Sequence, residues 1–153
     1  MPFILSVGRL TAQKGYDILI KAFYSVFKDI PINLIVAGEG DKRNSLDTLI
    51  RSLHLENKVF LIGNEQNPFP LYQHALFFVL SSRWEGFANV LVEALACSCP
   101  IISTDCHYGP SEVLKKGEYG ILVPPENTDA LALAMKNMYE SEELRKSFCQ
   151  KSI

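Results

Sequence analysis

Leu76-Phe77-Phe78-Val79-Leu80-Ser81-Ser82-Arg83-Trp84-Glu85-Gly86-Phe87-Ala88-Asn89-Val90-Leu91-Val92-Glu93-Ala94-Leu95-Ala96 is the stretch on which the fold turns. It opens with an unbroken apolar run, Leu76–Leu80, and crosses a turn rich in hydroxyls and charge. It closes on a segment, Asn89–Ala96, with Val90, Leu91, Ala94 and Leu95 at helical spacing. A strand apolar on both faces has to be covered on both faces. Such a strand followed by an amphipathic helix is the repeating unit of a parallel sheet wrapped by helices.

The same unit recurs in both directions. Upstream, Phe3–Val7, Asn33–Ala37 and Lys58–Ile62 are strand-like runs separated by helical stretches at Gly15–Lys28 and Arg43–Leu53. In the first of these helices Ile18, Leu19, Ala22, Phe23 and Val26 share one face. A short helix, Phe69–His74, leads into the decisive strand. Downstream come a strand at Pro100–Ser103, a short helix at Pro110–Lys116 with proline in its first turn, and a strand at Tyr119–Val123. A long terminal helix, Thr128–Gln150, is expected to break near Ser141. No repeat, linker or low-complexity segment interrupts the series. The expected architecture is one α/β domain, Rossmann-like and doubly wound around a mainly parallel sheet.

Composition narrows the function. At 153 residues the chain can bury a proper core. A net charge of −2 gives no basic surface for nucleic acid, so no nucleic-acid partner is expected. No apolar run reaches membrane-spanning length. The opening Met1-Pro2-Phe3-Ile4-Leu5 lacks the charged segment of a secretory leader. Cys97, Cys99, Cys106 and Cys149 form no C-x-x-C pair and read as reduced thiols. Cys97, Cys99 and His107 lack the usual spacing of metal ligands, and no metal site is expected. The chain enters a strand at once and stops within a helical pattern, which reads as a domain taken from a longer protein.

In an open α/β sheet, ligands bind beyond the carboxyl ends of the strands. The loops at that edge, among them Gly8-Arg9-Leu10, Gly38-Glu39-Gly40, Gly63-Asn64-Glu65 and Ser81–Gly86, are rich in glycine, hydroxyls and charge; those at the other edge are ordinary turns. Arg9 and Lys14 bracket the first strand–helix loop. A guanidinium and an ammonium beside a helix start make a diphosphate clamp. The turn before Asn89 leaves the backbone N–H groups of Phe87, Ala88, Asn89 and Val90 free for a phosphate. Glu93 leans back toward that loop, as helical side chains do. Carboxylates suit neighbouring hydroxyls, so Glu85 and Glu93 flanking a phosphate turn fit a sugar on each side of a diphosphate. Trp84 is expected to pack, and His54 and His74 to be surface or packing residues. Gly38-x-Gly40 follows the second strand, and Arg43 stands at the third glycine of a dinucleotide fingerprint. That argues against a nicotinamide-dependent oxidoreductase.

Gly8-Arg9-Leu10 with Lys14-Gly15-Tyr16-Asp17, the Glu85…Glu93 E-x7-E pattern, Ala94-Leu95-Ala96 before Pro100-Ile101-Ile102-Ser103, Gly109-Pro110-Ser111-Glu112 and Gly120-Ile121-Leu122-Val123-Pro124 occur in this order along nearly the whole chain. Together they resemble the C-terminal, nucleotide-sugar-binding domain of glycosyltransferase family 4. The resemblance implies the C-terminal half of a GT-B fold, with an N-terminal acceptor domain absent from this chain. It implies retaining transfer of a hexosyl or N-acetylhexosaminyl group from a nucleotide-diphosphate sugar, UDP-linked, to a glycan or lipid-linked acceptor. Arg9, Lys14 and Glu85 become catalytic residues: the cations neutralise the leaving diphosphate and Glu85 holds donor-sugar hydroxyls. Gly8, Ile62, Gly63, Asn64, Gly86, Phe87, Ala88, Asn89, Val90 and Glu93 become donor-binding residues, with the base near Ile62–Asn64 and the ribose on Glu93. No metal or other cofactor is implied. The implied location is cytoplasmic, with peripheral membrane association through the full-length enzyme. The alternative is a non-catalytic nucleotide-sugar-binding module. Two positions depart from the family pattern: Ala88 stands where Gly or Pro is frequent, and Ser98 where Gly usually ends the helix. A left-handed Ser98 would cost about 1–2 kcal/mol.

Overall fold

The structure is a computed structural model that describes residues 1–86, 88–106 and 109–151. The expectations placed on Phe87 and His107 therefore lie outside the described residues. Six strands run β1 (Phe3–Val7), β2 (Asn33–Ala37), β3 (Val59–Gly63), β4 (Phe77–Leu80), β5 (Ile101–Thr104) and β6 (Ile121–Val123). They form one sheet in the order β3-β2-β1-β4-β5-β6, and every pairing is parallel. The helices are α1 (Tyr16–Phe27), α2 (Arg43–Ser52), α3 (Phe69–His74), α4 (Asn89–Ala96), α5 (Pro110–Val113), α6 (Thr128–Glu140) and α7 (Glu142–Lys151). A single 3-10 turn, Ala12–Lys14, precedes α1.

Alternation along the strands sorts the core into two layers. Ile4, Leu34, Val36, Phe77, Val79 and Ile102 face a cluster completed by α1, α2, α6 and Phe148 of α7. Leu5, Phe78, Leu80 and Ile101 face the other way, onto Tyr72 of α3, Leu91 and Ala94 of α4, and Leu114. A period-2 backbone with apolar residues at both parities requires this three-layer arrangement. Leu19, Ala22, Phe23 and Phe27 of α1 are fully buried. Phe27 meets Tyr139 of α6 edge-on, with ring centroids 5.3 Å apart.

The departures from the expected elements are local. Three strands, β3, β4 and β5, begin one residue late and β6 begins two late: Pro100 has no N–H to place in the ladder, the Lys58 N–H turns back to the Leu55 carbonyl, and the Tyr119 N–H turns back to the Leu114 carbonyl. The terminal helix does break at Ser141, whose φ of −115° and ψ of 98° are not helical. The expected helix Pro110–Lys116 is corrected to Pro110–Val113, because Lys115 and Lys116 are left-handed (φ 49° and 56°). The Lys116 N–H then reaches the Ser111 carbonyl and the Lys115 N–H the Glu112 carbonyl. That pair of bonds is the Schellman closure of a helix. The same closure ends α2 at His54 (φ 58°) and α4 at Ser98 (φ 55°). No helix among the described residues is long and apolar enough to cross a membrane.

Candidate functional site

The strand order reverses between β1 and β4. From β1 the chain leaves for α1 on one face of the sheet, and from β4 it leaves for α4 on the other. The two departing loops diverge and leave a crevice at the carboxyl edge, where such sheets take their ligands.

The loops are fastened to each other at their bases. The Arg83 N–H donates to the Gln13 carbonyl (2.7 Å), and Gln13 Nε2 donates to the Trp84 carbonyl (3.0 Å). Ser81 Oγ donates to the Lys14 carbonyl at 2.8 Å. Gly15 makes this approach possible: its φ is 64°, and a Cβ there would lie 2.2 Å from the Ser81 carbonyl oxygen. Arg83 is a second rivet. It donates to the Ala12 carbonyl (2.5 Å) and forms ion pairs with Asp17 (2.9 Å) and Glu126 (3.2 Å). Burial acts to raise the Asp17 pKa, but the hydrogen bond and charge of Arg83 outweigh it and hold the carboxyl below its usual value.

Within this frame Lys14 and Glu85 meet directly, Nζ to Oε2 at 2.6 Å. Glu85 is 7% exposed. Its Oε2 also accepts from Ser82 Oγ at 2.5 Å, and Thr104 Oγ1 fixes the Ser82 carbonyl at 2.7 Å. Charge-assisted bonds of this length are strong, and a buried carboxylate needs them. Tyr16 sits below, 2% exposed, its hydroxyl 2.8 Å from where a Cβ on Gly8 would lie. Burial pushes the phenol pKa up. Arg9 is exposed and shares with Lys14 an open cavity of about 390 Å³, lined also by Thr11, Ala12, Gln13 and Trp84.

Glu93 lies elsewhere on the same edge. Its Oε1 accepts from Tyr72 Oη at 3.0 Å, so one oxygen is tied to α3. Gly86 is exposed and Ala88 buried, and Ala88 starts α4 with no side-chain cap. Asn89 is exposed and Val90 half-buried in the first turn. Ile62, Gly63 and Asn64 end β3 on the far side of β2; Ile62 is 45% exposed and Asn64 exposed. The structure thus joins Lys14 to Glu85 by a bond and Arg9 to Lys14 by a cavity. It attaches Glu93 to α3 and leaves Ile62–Asn64 two strands from β1.

One expectation changes. Trp84 does not pack: it is 55% exposed, because Arg83 and Glu85 on either side are both drawn inward and turn it out over the Arg9–Lys14 cavity. Sequence reading also passed over Ser82 and Tyr72. A hydroxyl three residues before an acid in the turn was the available signal for Ser82. Tyr72 carried none, since it approaches Glu93 only through the packing of α3 beside α4. Among the described residues no group of three His, Cys, Asp or Glu is placed to hold a metal ion.

Residues 1–153 match the family profile of "Glycosyl transferases group 1". The chain belongs to the group 1 glycosyl transferases. It is 40% identical over 150 residues to the N-acetylgalactosamine-N,N'-diacetylbacillosaminyl-diphospho-undecaprenol 4-alpha-N-acetylgalactosaminyltransferase of Campylobacter jejuni, covering 98% of this chain and 40% of that protein. Among solved structures it superposes on S. aureus TarM in complex with Fondaparinux, alpha-GlcNAc-glycerol and UDP with a TM-score of 0.90 at 26% identity, covering 98% of this chain and 31% of that one. On Anabaena HepE in complex with UDP and glucose the TM-score is 0.89 at 25% identity, covering 98% and 42%. The chain spans less than half the length of each of these relatives. Its single six-stranded parallel domain matches one Rossmann-like unit of GT-B glycosyltransferase structures.

Proposed function

We propose that this domain binds a UDP-linked sugar across the β1/β4 crevice, as the donor half of a retaining family 4 glycosyltransferase. The acceptor half lies in a separate N-terminal domain. The observation that carries the reading is the buried Lys14–Glu85 pair at the point where the strand order reverses. A cation for a diphosphate and an acid for sugar hydroxyls stand in contact there. Arg9, on the shared cavity with Lys14, supplies the second cation. Gly8 and Gly86 leave the approach open. Phe87, Ala88, Asn89 and Val90 offer backbone N–H groups, Glu93 takes the ribose hydroxyls, and Ile62, Gly63 and Asn64 take the base. The group transferred is hexosyl or N-acetylhexosaminyl, and the acceptor is a glycan or a lipid-linked intermediate; a lipid-linked acceptor would bring the whole enzyme to the cytoplasmic membrane surface.

In this reading the acceptor oxygen bonds to the anomeric carbon on the face from which the diphosphate departs. The carbon–oxygen bond to the β-phosphate breaks with its electron pair going to UDP, and the acceptor hydroxyl proton passes to the departing phosphate oxygen. Arg9 and Lys14 stabilise the charge that grows on that phosphate, so the proposal assigns charge neutralisation to side chains and calls on no metal. Isothermal titration with UDP, UDP-glucose, UDP-N-acetylglucosamine, UDP-N-acetylgalactosamine and GDP-mannose tests it. Binding of at least one UDP ligand, lost in Arg9→Ala and Glu93→Ala, is expected. No heat with any of these at millimolar concentration would overturn the reading, and tight binding of NAD in their place would replace it.

A further inference from the structure

Tyr72 is a large side chain, 1% exposed, that spends its hydroxyl on Glu93. It stands on α3, the element that follows the β3 loop, whereas Glu93 stands on α4. Tilted ring contacts hold it: Phe78 of β4 lies 5.4 Å away and Phe69 6.3 Å, centroid to centroid. Burial together with the neighbouring charge of Glu93 pushes its pKa up, so the phenol remains a donor at every working pH. A carboxylate has two oxygens. With Oε1 accepting from a rigid phenol, the carboxylate plane is set: Oε2 can meet one hydroxyl, and the second lone pair of Oε1 can meet its neighbour.

We propose that Tyr72 is a positioning residue that orients Glu93 for bidentate recognition of the vicinal ribose hydroxyls, and so sets the domain's preference for ribose over deoxyribose nucleotides. The inference rests on the reading of Glu93 as the ribose acceptor. It adds a mechanical link: α3 descends from Gly63 and Asn64, the segment assigned to the base, so the two ends of the nucleoside are gauged by one short element. A freely rotating Glu93 would still accept a hydroxyl, but two hydroxyls at fixed spacing require a fixed plane.

The test compares UDP with 2′,3′-dideoxy-UDP by isothermal titration on the 153-residue chain, as wild type, Tyr72→Phe and Glu93→Gln. Tyr72→Phe keeps the ring contacts, and its far-UV spectrum and urea midpoint report folding separately. The expected result is that Tyr72→Phe weakens UDP about tenfold, the size of a lost hydrogen bond to a charged group, while 2′,3′-dideoxy-UDP binds within twofold of wild type. The ribose preference then shrinks toward that of Glu93→Gln. A merely structural role for Tyr72 would weaken both nucleotides equally, and that result overturns the proposal. A preference abolished by Glu93→Gln but intact in Tyr72→Phe also overturns it, while leaving the donor-site reading standing. Failure of the wild type to bind UDP removes both.

Discussion

Replacing Lys14 with methionine removes the ammonium from Glu85 while keeping the aliphatic stem in place. The Glu85 side chain is 5% exposed and that of Lys14 15%, with 2.6 Å between the charged atoms. After the change the carboxylate keeps only the Ser82 hydroxyl. Removing one partner of a buried pair costs about 3–5 kcal/mol. The low end, about 3 kcal/mol, applies here, because Ser82 still donates and the Lys14 side opens onto a cavity. In a domain of this size each kcal/mol lowers Tm by roughly 2–4 °C, so Lys14→Met should melt about 6–12 °C below wild type. Glu85→Gln strands an ammonium that can reach water, and should cost about 1–2 kcal/mol. The double variant should fall short of the sum by about 1.5–2 kcal/mol, since neither charge is then stranded. Urea unfolding at pH 7, read by far-UV circular dichroism at constant m, measures all four corners of the cycle. Additive single effects, within about 0.5 kcal/mol, would refute the argument, because they would mean that the two side chains are not paired in solution.

Gly15→Ala should destabilise by at least about 3 kcal/mol, because a left-handed alanine whose Cβ stands 2.2 Å from the Ser81 carbonyl forces the β1 and β4 loops apart. It should also weaken UDP, and a urea midpoint equal to wild type would contradict it. Ser98→Gly relieves a left-handed non-glycine residue at the end of α4 (φ 55°) and should raise stability by about 1 kcal/mol; a lowered midpoint would show that the serine side chain has another task. The Asp17 carboxyl is held below its unfolded value. Its pairing with Arg83 therefore stabilises the fold fully above about pH 3.9 and loses this effect as pH falls through the lower folded pKa. The stability gap between wild type and Asp17→Asn, small at pH 7 because the carboxylate is partly exposed, should close toward pH 3 in urea titrations.

The sheet was legible because β4 and its flanks are apolar at both parities, and only burial on two faces accommodates that. The edge expected to carry the site could be singled out for a related reason: Arg9, Lys14 and Glu85 fall in loops that follow strands, and Glu93 in the second turn of a helix that follows one. What could not be read was which charge meets which. The Lys14–Glu85 bond joins residues far apart in sequence, and it depends on Gly15 letting one loop settle on the Ser81 carbonyl. The Tyr72–Glu93 bond depends on how α3 lies beside α4, which periodicity does not encode. Lys115 and Lys116 misled for a different reason. Lysine is a good helix former, and nothing local announced that the chain would turn left-handed there to send Tyr119 back to the Leu114 carbonyl.

The packing of α1 against α6 joins one of the first elements of the chain to nearly the last. On a ribosome, Phe23 and Phe27 emerge early and their cover arrives only when synthesis is almost complete. Until then a wide apolar face is bare, and pairing across such a separation is slow to form. A nascent chain stalled before Thr128 would be sticky rather than half-finished, with that face open to aggregation.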